Sequence, residues 1–158
     1  MLKRVVVNVK SNDNACFAWA VVAALYPAER DTEREFSYPH YTKVLNLQGI
    51  EFPVTVNQIK KFEHANDISI NVYTLIIRGE GNVDIVPIRL SELKKDKHVN
   101  LLYVEDPHNN SVGHFTWIKN LSRLVSSQLS NHNGQKYICD RYVYFNKNVI
   151  YINSKNFL

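Results

Sequence analysis

With 158 residues, 45% of them hydrophobic and 22% charged, the chain has the size and composition of one globular domain and is cramped for two. Its net charge of +4 is scattered, with only a short cluster at Lys94, Lys95 and Lys97, which argues against a basic track for nucleic acid. No apolar run approaches the roughly 18–20 residues that span a bilayer, so no membrane role is expected.

The chain opens with MLKRVVVNVK, whose apolar segment is only VVV; a secretory leader is not expected. The two cysteines, Cys16 and Cys139, are far apart, so the expected setting is the reducing cytoplasm, with Cys16 a free thiol. Val5–Val9 reads as a short strand. Asp13 or Asn14 is placed to cap a helix from about Cys16 to Leu25, which Pro27 ends. Residues 28–48 are polar and aromatic-rich, with a short helix around Tyr41–Leu47. A second helix signal runs over Val56–His64, capped by Thr55, with Ile59 and Phe62 on one face.

Strand-like segments follow. SINVYTLII (69–77) and VDIVPIRL (83–90) flank RGEG, a hairpin signal, and HVNLLYVED (98–106) and GHFTWIKN (113–120) flank the turn-rich PHNNSV. LSRLVSSQLS reads as a short helix or helical turn, QKYICDRYVYF (135–145) as a strong strand and VIYIN (149–153) as one more. A helix in front and an antiparallel sheet behind make the class α+β, with residues 1–158 a single domain.

The chemistry centres on Cys16. A thiolate is favoured at a helix N-terminus and beside an imidazole, and Cys16 opens the first helix after the polar stretch Ser11–Asn14. Backbone N–H groups around Asp13 and Asn14 would face a developing oxyanion. Among six histidines, His114 in VGHFTW has the best context for a base: the first residue of a strand, after a glycine that lets backbone or substrate approach. A cysteine followed roughly a hundred residues later by a strand histidine has the chain order of papain-like enzymes. The plainer alternative makes Cys16 and His114 structural and the tryptophans Trp19 and Trp117 core.

The third residue stays open at this level. Asn120 lies six residues after His114, roughly 20 Å away along an extended strand. A hairpin joining LLYVED to HFTW would bring Glu105 or Asp106 beside His114, and Asp106 is preferred. Asp140 would approach from the last strong strand, and a dyad without a third member also remains. Cys139 and His132 alone do not make a zinc site, so neither metal nor cofactor is expected.

The segments CFAWAVVAALYP, GIEFPVTVNQIKKFEHANDISINVYTL, HVNLLYV and HFTWIKNLSRLVSSQ, followed by YICDR, resemble a domain recurring in transposon-encoded proteins of arthropods, through almost all of residues 12–142. That domain is similar to the viral tegument-like deubiquitinases, cysteine peptidases of papain-like fold. DNAC also looks like the Asp-Gly-Asn-Cys of ovarian-tumour-type deubiquitinases. The resemblance implies Cys16 as nucleophile, His114 as general base and the backbone around Asp13 and Asn14 at the oxyanion. It further implies ubiquitin or polyubiquitin chains as substrate, without metal or cofactor; a monomer is expected. Two departures stand out. Val112 occupies the position of the acidic residue in the herpesviral Asp-x-His, and Tyr142 replaces the second cysteine of the relatives' CDRC.

Overall fold

The computed structural model describes residues 5–78, 82–106 and 109–126, together with the strand segments 138–139, 142–145 and 148–151. Among the described residues four α-helices, α1 (Cys16–Leu25), α2 (Tyr41–Val44), α3 (Ile59–Asn66) and α4 (Leu121–Ser126), accompany eight strands. The main sheet contains β1 (Val6–Val7), β2 (Ser69–Arg78), β3 (Asn82–Arg89), β4 (His98–Asp106) and β5 (Asn109–Ile118), in the order β1-β5-β4-β2-β3. The short strands β6 (Ile138–Cys139), β7 (Tyr142–Phe145) and β8 (Asn148–Tyr151) form a second, antiparallel sheet.

The α+β class holds, but the main sheet is mixed. Strands β2 and β4 run parallel, in register from Ser69 opposite His98 to Thr74 opposite Tyr103, while the other neighbours are antiparallel. Local patterning reports that a segment is extended, not the direction of its neighbour. The β2–β3 hairpin folds to the outer edge and leaves β4 to enter on β2's other side, which forces the parallel pairing.

Helix α1 is apolar on nearly every side, and residues Phe17 through Ala23 are all buried. Such a helix is stable only with cover all round. Phe17 meets the rings of Phe62 on α3 and Phe115 on β5 edge-on, with centroids 5.0 and 5.2 Å apart, and so ties the helix to both layers. A second apolar cluster joins Val5, Tyr73, Leu102 and Ile118 to Leu121, Leu124 and Val125 of α4.

One buried ion pair locks α3 to the sheet. Glu63 accepts from the backbone N–H of Ile70 at 2.7 Å and from the Arg89 guanidinium at 3.1 and 2.6 Å, and Arg89 also donates to the Ile70 carbonyl. Each polar group is thereby matched, the condition under which a charge is tolerated out of water. Helix α3 ends where Asp67 turns into the left-handed region (φ 52°).

Candidate active site

The expected helix over Cys16–Leu25 is observed with those bounds, and Cys16 is its first residue. The cap differs. Ala15 occupies the cap position without a side-chain cap, and Asp13 works one step earlier, its Oδ1 accepting from the Ala15 N–H at 3.2 Å. Its Oδ2 accepts from the Trp19 indole at 3.3 Å and from the Tyr41 hydroxyl at 3.2 Å. Trp19 is buried, and its ring lies among Tyr41 and His40 (centroids 5.1 and 5.3 Å). Desolvation pushes the Asp13 carboxyl upward, but hydrogen bonds from Ser11, Ala15, Trp19 and Tyr41 outweigh it and hold the pKa below the usual value.

The Cys16 thiol is half-buried and free of any disulfide. Burial raises its pKa above the ordinary 9.0, and the negative charge of Asp13 adds to the rise. The backbone amides of Phe115, Phe17 and Cys16 itself act in the opposite direction without reversing it. At neutral pH the resting group is therefore a thiol, held between the start of α1 and strand β5.

His114 stands sixth in β5 rather than first, because the strand begins at Asn109. Its directly opposed residue on β4 is Val104; Glu105 faces Gly113, and Asp106 pairs with Asn109 across a register shift. The two strands do pair as a hairpin, but the residue directly across from His114 is Val104, with Glu105 one position further on, and β5 reaches back to pair with the end of β4. The side chain of Asp106 lies outside the described residues. Gly113 has a packing role, since a Cβ there would run into the ring of Tyr103, itself against Phe115.

The imidazole's partner is instead Asn8, whose Oδ1 lies 2.7 Å from Nε2. An amide oxygen is an acceptor only, so Nε2 carries the proton in the neutral ring and the lone pair is left on Nδ1. Strand pairing explains the meeting. Val6 opposes Ile118 and Val7 opposes Trp117, so the chain leaving β1 at Asn8 runs on along β5 toward His114. Desolvation lowers the His114 pKa from 6.5, which keeps the ring neutral and able to accept a proton at physiological pH.

Among the described residues no hydrogen bond joins the thiol to the imidazole; the thiol's contact on β5 is the amide of Phe115, the residue after His114. Asn120 is engaged elsewhere: its Oδ1 accepts from Arg123 N–H at 2.8 Å at the start of α4. Asp140 lies outside the described residues, as do the side chain of Cys139 and the whole of His132. Asn8 was hidden in the sequence because VVVNV reads as an alternating strand with its polar residue facing solvent. Only knowledge that this strand pairs with the histidine strand singles it out.

The chain matches no family model, no curated protein and no solved structure. Among the described residues no helix is long and apolar enough to cross a membrane, and no cluster of three or more His, Cys, Asp or Glu side chains is placed to hold a metal.

Proposed function

We propose that the protein is a cysteine peptidase in which Cys16 is the nucleophile, His114 the general base and Asn8 the residue that orients the imidazole. The observation that carries this reading is the His114 Nε2–Asn8 Oδ1 hydrogen bond at 2.7 Å, on the strand whose next amide touches the Cys16 thiol. Nδ1 takes the thiol proton as sulfur attacks the substrate carbonyl carbon. The resulting oxyanion is met by backbone N–H groups of the Asp13–Cys16 turn; the Ala15 amide is bound to Asp13, which assigns that role to its neighbours at Asn14 and Cys16. The tetrahedral intermediate collapses, the leaving amine receives the proton from His114, and a thioester remains on Cys16. Water then attacks this thioester, giving its proton to His114, and the released sulfur is reprotonated. The closer approach of imidazole and sulfur that this sequence needs is of the kind that tightens when substrate binds.

The substrate follows from the resemblance to the tegument-like deubiquitinases: the peptide or isopeptide bond after the C-terminal Gly of ubiquitin, in a papain-like fold. Incubation with ubiquitin bearing a C-terminal electrophile tests it. A covalent adduct that disappears in Cys16→Ala supports the reading, and a folded wild-type protein that forms none contradicts it.

A further inference from the structure

We infer that Asp13 is a positioning residue for the nucleophile: its carboxylate fixes the loop before α1 against Trp19 and Tyr41, and so sets where Cys16 and its flanking amides stand. This deepens the peptidase reading and rests on it. Four donors converge on the two carboxylate oxygens: the Ser11 side chain, the Ala15 N–H, the Trp19 indole and the Tyr41 hydroxyl. They belong to the loop itself, to the first turn of α1 and to α2, so one side chain joins the three pieces of backbone around the nucleophile. Only a carboxylate accepts from all of them. An asparagine would turn an NH2 group toward one set of donors and lose at least one bond.

The same charge acts on the chemistry. The titratable groups around the thiol are Asp13 on the loop, His114 on the adjoining strand and, behind Asp13, Tyr41 on α2. The negative Asp13 disfavours the thiolate. A residue selected only to activate sulfur would not be negative here, whereas a carboxylate that holds the loop brings this electrostatic cost as a consequence. Geometry and thiol acidity are therefore opposed at Asp13, and that opposition gives the test.

Asp13→Asn is compared with wild type by two readouts. The first is alkylation of Cys16 by iodoacetamide across pH, which needs no substrate. The second is steady-state hydrolysis of a fluorogenic ubiquitin C-terminal amide. Positioning requires the alkylation midpoint to move to lower pH while kcat falls at least about tenfold with KM changed little, the pattern of a displaced rather than a weakened nucleophile. Unchanged hydrolysis overturns the assignment, and so does a midpoint that stays or moves up. If Asp13→Asn does not fold, Tyr41→Phe deletes one donor and keeps the ring. It must then lower kcat by about threefold at unchanged Tm, and full activity there overturns the assignment. Wild-type protein that is alkylated at Cys16 yet hydrolyses nothing counts against the peptidase reading, and the midpoint shift then decides on Asp13 by itself.

Discussion

His114 and Asn8 are separated by 106 positions in the chain and joined by a 2.7 Å hydrogen bond. The bond fixes the imidazole tautomer and the plane of its ring, and it does so from the residue just after an edge strand only two residues long. In the proposed mechanism the Cys16–His114 pair therefore relies on a residue with no acid–base chemistry of its own.

Replacing Asn8 separates orientation from acid–base function. Asn8→Ala is expected to lower kcat/KM by about ten- to a hundredfold, within the range that a well-placed general base contributes. Its Tm should change little, because Asn8 is exposed. Asn8→Asp puts a negative charge beside Nε2 and should raise the His114 pKa, moving the acid limb of the rate profile to higher pH. Kinetics over pH 5–8 check both variants.

A second expectation concerns the resting protonation states. His114 is solvent-exposed, and partial desolvation of its ring lowers its pKa from 6.5, while burial raises that of Cys16 from 9.0. The acid limb of kcat/KM should therefore fall below pH 6.5, and alkylation of free Cys16 should have its midpoint above pH 9. The same shift makes a stability statement. With the folded-state pKa of His114 depressed, the folded chain binds fewer protons than the unfolded one, so stability present above pH 6.5 is lost as pH falls through the folded value. His114→Gln should flatten that acid dependence of Tm.

The fold could be read from the sequence wherever one segment determines its own state. The α1 helix, with its alanine-rich run and Pro27 stop, is observed over Cys16–Leu25, and β4 has the expected bounds His98–Asp106. What escaped was pairing. The parallel β2–β4 ladder, the register that sets Val104 against His114 and the approach of Asn8 all depend on which distant segments meet. Alternation gives each strand a face but says nothing of its neighbour. Cys16 and His114 could be singled out from residue type and context, and the hydrogen bond from His114 to Asn8 could not.

The Glu63–Arg89 pair gives a stability expectation independent of the active site. Both side chains are largely buried, with 10% and 16% of their surface exposed. Glu63→Ala leaves a desolvated guanidinium and an unmatched Ile70 N–H, and should cost about 3–5 kcal/mol. Lys60→Ala breaks only the exposed contact with Glu92 and should leave Tm close to that of wild type. Urea unfolding of the two variants measures the contrast.

The most direct measurement is mass spectrometry of the protein after incubation with ubiquitin carrying a C-terminal electrophile. An adduct on Cys16 in wild type, slowed in Asn8→Ala and His114→Ala and absent in Cys16→Ala, is the expected result. An unmodified Cys16 in folded wild-type protein, or an adduct whose rate is indifferent to His114 and Asn8, would contradict the assignment of these three residues.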